Sequence, residues 1–94
     1  MTTILVVDDE PAILEALVAL LEDEGFVAMA ATSGVEALER LAAPVPDLVL
    51  TDLMMPRLDG VGLVRAMRAR PELRAVPVVL TSAGGKRPDL HAVE

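Results

Sequence analysis

The sequence predicts an α/β domain in which a parallel β-sheet is covered by helices on both faces. Three short apolar runs, at residues 3–7, 47–52 and 76–82, are continuous rather than alternating, which is typical of strands buried on both faces of a parallel sheet. Segments with apolar residues three and four positions apart lie between these runs, as amphipathic helices require. This alternation indicates βαβ units with right-handed crossovers.

The first strand and the first helix have clear boundaries. The strand is predicted at residues 3–7, and Pro11 suits the first turn of the helix that follows, where its missing N–H would have no partner. The apolar face of this helix is formed by Ile13, Leu14, Leu17, Leu20 and Leu21. Gly25 is expected to end it, because glycine readily adopts the left-handed conformation that closes many helices.

The second strand and helix are marked mainly by a capping signal. A weak, alanine-rich strand is predicted at residues 26–32. Ser33 and Glu36 then form a capping-box pattern, in which the serine oxygen accepts from the amide of the third helical residue and the glutamate reaches back. The helix is expected to end before Pro44 and Pro46, since proline cannot continue it.

The second half of the chain repeats this order. The third strand, at residues 47–52, is followed by a turn and by a helix that Asp59 should cap. The apolar face of this helix carries Val61, Val64 and Met67. Pro71 interrupts the next segment, the fourth strand is predicted at residues 76–82, and residues 86–94 are expected to begin a further helix.

Length, charge and cysteine content exclude several classes of protein. With 94 residues the chain forms one domain, residues 1–94. A net charge of −7 argues against binding to nucleic acid or to an anionic membrane, both of which need a basic surface. The absence of cysteine excludes disulfides and thiolate metal sites. No apolar run is long enough for a signal peptide or a membrane span, so we expect a cytoplasmic protein.

Oxygen-bearing side chains follow three of the predicted strands. Asp8 and Asp9 come directly after the first strand, Asp52 ends the third, and Ser82 ends the fourth. Because the carboxyl ends of parallel strands meet at one edge of the sheet, we expect these side chains to converge. Neighbouring carboxylates repel one another, and Mg²⁺ would remove that conflict. Asp52 is then the candidate nucleophile for forming an acyl phosphate.

Each of these residues also has an ordinary structural explanation. Asp8 and Asp9 can simply begin a helix, where the helix dipole favours acidic residues. Asp52 and Ser82 can be turn residues that bond to the backbone. Met54 and Met55, which follow Asp52 by two and three positions, are expected to pack against other apolar residues.

Taken together and in order, these motifs resemble the response-regulator receiver domains of bacterial two-component systems. The resemblance rests on Asp8-Asp9, on the stretch Asp-Leu-Met-Met-Pro-Arg-Leu-Asp-Gly at residues 52–60, and on Ser82-Ala83. It extends from residue 3 to about residue 85. It implies a flavodoxin-like, doubly wound parallel sheet whose strands lie in the order 2-1-3-4-5.

The resemblance also implies roles for the clustered residues. Asp52 would receive a phosphoryl group from the phosphohistidine of a sensor histidine kinase. Asp9, Asp52 and the backbone carbonyl of Met54 would hold Mg²⁺, with Asp8 assisting through water. The hydroxyl of Ser82 would contact the bound phosphoryl group and sense it. Such a domain is a self-phosphorylating and self-dephosphorylating switch rather than a turnover enzyme.

The chain departs from this family pattern at its C-terminal end. Receiver domains carry a phosphate-contacting lysine at the end of a fifth strand, and Lys86 follows Ser82 too closely to be that residue. We therefore expect a sheet of order 2-1-3-4 with the fifth strand and last helix missing, in a fragment or a genuine short form. The fourth strand, with Val78, Val79 and Leu80, would then be an exposed edge that favours self-association.

Two other functions remain open on the sequence. Without the lysine the domain can be a pseudo-receiver that is not phosphorylated and acts as a protein-interaction module. A phosphatase or phosphotransferase with an aspartate nucleophile is disfavoured, because such enzymes use a second acid two positions further on, where this chain has Met54.

Overall fold

The computed structural model describes residues 1–81, which form a four-stranded sheet and three α-helices. The strands are β1 (Thr3–Val7), β2 (Val27–Ala31), β3 (Leu48–Asp52) and β4 (Val78–Thr81). The helices are α1 (Pro11–Asp23), α2 (Gly34–Arg40) and α3 (Gly60–Arg68), and a 3₁₀ turn lies at Pro71–Leu73. The elements follow the predicted alternation of strand and helix.

The sheet is parallel throughout, with the strands in the order β2-β1-β3-β4. Thr3 pairs with Val27 at the start of β1, and Val7 pairs with both Ala31 and Thr51 at its end. The predicted order 2-1-3-4 is thus confirmed. The strand order reverses between β1 and β3, where open α/β sheets bind their ligands.

Side chains of β1 enter two separate cores, one on each face of the sheet. Leu5 and Val7 belong to a cluster that includes Leu41, which directly follows α2, and Leu63 of α3. Ile4 and Val6 belong to the opposite cluster, which contains Leu14 of α1 together with Leu17, Val18, Leu21, Ala30, Leu48 and Leu50. Helices therefore cover both faces, which explains why the strand sequences are continuously apolar rather than alternating.

Both predicted helix signals are present in the structure. Gly25 has a φ of 93° and donates to the carbonyl of Glu22 (3.0 Å), while Phe26 donates to Leu21 (3.0 Å); these bonds form the Schellman closure of α1. Ser33 Oγ accepts from the amide of Glu36 (3.0 Å). The Glu36 carboxylate accepts from Thr32 rather than from Ser33 (2.9 Å), so the capping box is shifted by one residue.

The strand ends differ slightly from the expected bounds. The second strand begins at Val27 rather than residue 26, the third at Leu48 rather than residue 47, and the fourth at Val78 rather than residue 76. Pro77 precedes β4 and has no N–H to donate to a neighbouring strand. The helix predicted at residues 86–94 lies outside the described residues. Within residues 1–81, no helix is both long and apolar enough to cross a membrane.

Candidate functional site

The predicted acidic side chains lie at the carboxyl ends of two neighbouring strands. Asp8 and Asp9 follow β1, and Asp52 is the last residue of β3. The amide of Asp8 still donates to the carbonyl of Ala31 at the end of β2 (3.1 Å). Pairing of Val7 with Thr51 places the residues that follow, Asp8 and Asp52, side by side at this edge.

The three carboxylates converge as the sequence predicted. Each of Asp8, Asp9 and Asp52 offers an oxygen, and these oxygens all lie within 4.8 Å of one another. Asp8 is 3% exposed and Asp52 is 7% exposed, whereas Asp9 is open to solvent. A cluster of oxygen donors with one exposed member can hold a metal ion and leave it accessible from solution.

Two backbone amides fix the buried carboxylates. The amide of Glu10 donates to Asp8 Oδ1 (2.9 Å), and the amide of Met54 donates to Asp52 Oδ1 (3.3 Å). Each bond joins a carboxylate to an amide two residues further on, as in an ordinary turn. These local bonds and the clustering of the three carboxylates occur together. Glu10 is the N-cap residue of α1 and makes no side-chain capping bond, so neither Asp8 nor Asp9 is the helix cap.

The electrostatic environment of Asp8 disfavours its charged form. Burial raises the pKa of this carboxyl above its ordinary value of 3.8, and the negative charges of Asp52 and Asp9 raise it further. The hydrogen bond from the Glu10 amide lowers the pKa, but less than burial raises it. A cation placed among the three carboxylates would relieve both the burial cost and the repulsion.

The segment after Asp52 corrects one expectation about the methionines. Met55 is 8% exposed and belongs to the core, as predicted, but Met54 is 70% exposed, so its expected packing role is wrong. The difference arises because the two residues lie in a segment without regular secondary structure, from which only Met55 faces the core. Met54 therefore contributes an exposed, uncharged side chain two residues after Asp52.

Ser82 lies outside the described residues, so the predicted meeting of its hydroxyl with Asp52 stays a prediction. The residue before it, Thr81, ends β4 and pairs with Asp52 of β3. The Thr81 hydroxyl donates to the carbonyl of Thr51 (3.4 Å), and the amide of Leu53 donates to the Thr81 carbonyl (2.8 Å). The end of β4 therefore lies beside the acidic cluster.

Thr51 is a buried polar residue at this edge that sequence reasoning missed. It is completely buried, and its hydroxyl donates to the carbonyl of Asp52 (3.1 Å). The sequence signal for this residue was its position immediately before the strand-end aspartate. That signal is weak, because threonine is also a common strand residue.

Comparison with known proteins gives a consistent result. The family model for the response regulator receiver domain matches residues 4–93. Response regulator Rre1 of Synechocystis sp. is 38% identical over 88 residues, which cover 93% of this chain and 38% of that protein. DNA-binding response regulator MtrA of Mycolicibacterium smegmatis is 41% identical over 80 residues, which cover 85% of this chain and 34% of that protein.

A solved structure shows the same fold. The N-terminal domain of a response regulator receiver protein from Methanoculleus marisnigri superimposes with a TM-score of 0.86 and 42% sequence identity, covering 94% of this chain and 72% of that one. The chain spans well under half the length of the two curated relatives. The family match, the sheet order and the acidic cluster agree, and the chain belongs to the response regulator receiver domains of two-component systems.

Proposed function

We propose that this domain is a phosphoacceptor switch, in which a sensor histidine kinase transfers a phosphoryl group to Asp52 in a reaction that depends on Mg²⁺. The observation that carries the proposal is the cluster of three carboxylates at the ends of β1 and β3. Membership of the receiver family supports it. The second function that the sequence left open, a pseudo-receiver that binds a partner without phosphorylation, is the alternative outcome of the phosphorylation experiment.

The donor set of the cluster fits Mg²⁺. All of its side-chain donors are carboxylate oxygens, and this ion prefers a few carboxylates together with water and phosphate oxygens. Asp9, Asp52 and the backbone carbonyl of Met54 would hold the ion, and Asp8 would contribute through water. When bound, the ion would supply positive charge that offsets the charge on the oxygens of an incoming phosphoryl group.

Asp52 is the proposed nucleophile because it ends β3 within the acidic cluster. A carboxylate oxygen of Asp52 attacks the phosphorus of the kinase phosphohistidine, the new P–O bond forms, and the P–N bond breaks. The histidine leaves as imidazole and takes up a proton. The Met54 side chain, two residues further on, is exposed and uncharged, so it would not repel an approaching phosphoryl group electrostatically. The hydroxyl of Ser82 would then contact the phosphoryl group on Asp52.

The phosphoryl group on Asp52 acts as a signal rather than as an intermediate of turnover. Binding of a ligand or a covalent group changes a protein's state only through contacts that differ between its two conformations. Ser82 supplies such a contact in the proposal. The domain therefore phosphorylates and dephosphorylates itself as a switch, and its output depends on a partner or on a further domain.

The remaining expectations concern location and partners. We propose a cytoplasmic protein whose partner is the kinase. MtrA is described as a DNA-binding response regulator, but this chain covers 34% of it, and a net charge of −7 is unfavourable for DNA. We therefore propose that this segment binds no nucleic acid. Self-association through the edge of β4 also remains a proposal.

Phosphorylation with a small donor tests the function directly. Incubation with acetyl phosphate and Mg²⁺ should add the mass of one phosphoryl group to the wild type, and chelation of the metal should prevent the addition. Asp52→Ala should abolish the addition. Asp23→Ala, which removes an exposed acid at the end of α1, is the matched control and should be labelled like the wild type.

Two results would count against the proposal. Equal labelling of the wild type and Asp52→Ala would assign the chemistry to another residue. Uptake of Mg²⁺ without any added mass would favour the pseudo-receiver function, in which the domain binds a partner without being phosphorylated.

A further inference from the structure

Three glycines lie in the first turns of α2 and α3, where the backbone does not require them. Gly34 begins α2, and Gly60 and Gly62 lie in the first turn of α3. Among the glycines of residues 1–81, only Gly25 has a positive φ. Glycine weakens a helix relative to alanine, because it loses more conformational freedom on folding. These glycines must therefore be explained by the space that they leave.

The space left by Gly34 and Gly62 is filled by Leu58. A Cβ atom on Gly34 would lie 2.6 Å from the Leu58 carbonyl oxygen and 2.9 Å from the Leu58 Cβ. A Cβ atom on Gly62 would lie 2.7 Å from the Leu58 Cδ1. All three distances are shorter than van der Waals contact allows. We call this gap between the starts of α2 and α3 the glycine notch, formed by Gly34 and Gly62.

Leu58 belongs to the loop at residues 53–59, which connects the proposed nucleophile to α3. The loop is closed at its base by the amide of Gly60, which donates to the carbonyl of Leu53 (3.0 Å). A Cβ atom on Gly60 would lie 2.6 Å from the Asp52 carbonyl oxygen, so helix and strand end are in direct contact here. Met54 in the same loop donates its amide to Asp52 (3.3 Å).

Leu58 therefore links α2, which carries no residue of the acidic cluster, to the loop that carries a proposed metal ligand. Because the loop is short, closed at its base and anchored in the core by Met55, displacement of Leu58 cannot be absorbed without moving its neighbours. Mg²⁺ tolerates little distortion of its octahedral ligand geometry. A shift of the loop should therefore lower the affinity for Mg²⁺.

We propose that Leu58 is a positioning residue. Its packing in the glycine notch fixes the position of the Met54 carbonyl for metal binding. This inference rests on the proposed magnesium site. It makes Gly34, at the start of a helix outside the acidic cluster, a determinant of metal affinity. Gly34 acts through Leu58 and touches neither the metal nor the phosphoryl group.

Two glycine-to-alanine variants separate this role from a general effect on the helices. Gly34→Ala conflicts with a backbone carbonyl, so the loop must move, and Mg²⁺ affinity by calorimetry should fall about tenfold, as when outer-shell partners are removed. Gly62→Ala meets the flexible end of the Leu58 side chain (2.7 Å) and, less closely, the Asp59 carboxylate (3.3 Å), and no backbone atom of the loop. Rotation of the Leu58 side chain relieves part of the conflict, so Gly62→Ala should lower the affinity less than Gly34→Ala does.

Leu58 itself provides a test that does not depend on introducing a clash. Leu58→Ala should weaken Mg²⁺ binding, and in the metal-free protein it should speed hydrogen exchange at the Met54 and Leu53 amides while the amides of β1 remain protected. Leu58→Met, which keeps an apolar side chain of similar volume, should restore both properties. A role limited to global stability would instead speed exchange throughout the sheet.

The possible outcomes distinguish this inference from the proposed function. If the wild type binds Mg²⁺ and both Gly34→Ala and Leu58→Ala bind it equally tightly, the positioning role is overturned and the metal site stands. If Gly34→Ala does not fold, the Leu58 variants decide alone. If the wild type takes up no Mg²⁺, the proposed site fails, and unchanged exchange at Met54 in metal-free Leu58→Ala would overturn the positioning role as well.

Discussion

Asp8 shows at the level of a single residue how the site conflicts with the stability of the fold. Its carboxylate is almost fully buried and lies near two other acids, so its pKa is raised by burial first and by its neighbours second. In the metal-free protein the charged form of Asp8 is therefore less favourable than it would be in water. The same arrangement suits a cation, because a cation removes the repulsion.

Replacing Asp8 by asparagine should therefore stabilise the metal-free domain. The new amide side chain would keep an oxygen that can accept from the Glu10 amide and would carry no charge into the buried position. We expect Asp8→Asn to raise the Tm at neutral pH by several degrees, as about 1 kcal/mol does in a domain of this size. Thermal unfolding in metal-free buffer measures the change.

The direction of the pH dependence follows from the raised pKa. A carboxyl with a higher pKa in the folded chain binds its proton more tightly there, so it favours folding fully below its ordinary value of 3.8. That contribution is lost as the pH rises through the folded-state pKa. The advantage of Asp8→Asn should thus be largest at neutral pH and shrink in acid. Glu15→Gln on the exposed face of α1 is the control, and equal stabilisation by both variants would contradict the explanation.

At the scale of elements, Arg68 joins the end of α3 to the segment that leads into β4. Its Nη1 donates to the carbonyls of Leu73 (3.1 Å), Arg74 (3.0 Å) and Val76 (2.9 Å). The side chains of Leu73 and Val76 are buried in the core below. One guanidinium thus satisfies the carbonyls of a connection that has only a 3₁₀ turn of its own.

Loss of this guanidinium should destabilise the whole domain. Arg68→Ala leaves carbonyls without their charged donor, and we expect a loss of about 2 kcal/mol in the free energy of unfolding by urea denaturation. Arg68→Lys should recover part of it, because an ammonium group can still donate but cannot match the planar geometry. Arg65→Ala removes an exposed arginine from the same helix. A similar loss from that variant would show that helix charge, rather than the carbonyl contacts, is responsible.

The elements that the sequence predicted well are those whose signals are local. The continuous apolar run at Thr3–Val7 matches β1 residue for residue, and Asp59 caps α3 by accepting from the amide of Gly62 (2.8 Å). Gly25 closes α1 as expected. In each case the deciding interaction lies within a few residues along the chain, so the pattern carries it.

Features that depend on contacts between distant segments were not predictable in the same way. Nothing local shows that Gly34 must leave room for Leu58, or that Arg68 reaches three carbonyls five to eight residues ahead. The clustering of Asp8 and Asp52 was an exception. It was predictable because the parallel fold itself brings the carboxyl ends of strands together.

For the molecule as a whole, charge is distributed unevenly along the chain. Residues 1–39 contain many acidic side chains and no lysine or arginine, and the first basic residue is Arg40. These residues build β1, α1, β2 and most of α2. Two of the three residues of the acidic cluster, Asp8 and Asp9, thus belong to an acidic half of the domain. Such a field attracts cations and positively charged partner surfaces, and it weakens as salt concentration rises.

The outer side of β4 is the other feature that concerns the whole molecule. β4 is the last strand in the sheet order of residues 1–81, next to β3 alone. Val79 is 47% exposed and pairs with Leu50, which lies on the face that carries α1. An apolar side chain on an edge strand favours pairing with another strand.

We expect this edge to support self-association of the domain. The sedimentation coefficient of the wild type should rise with protein concentration, whereas Val79→Lys should remain monomeric, because a charged side chain would have to be buried against a second copy. Val45 is similarly exposed, at 43%, but lies in the connection between α2 and β3. Val45→Lys should therefore associate like the wild type. A wild type that is monomeric at every concentration would rule out the edge as an interface. If both lysine variants reduced self-association equally, general surface hydrophobicity rather than the β4 edge would be responsible.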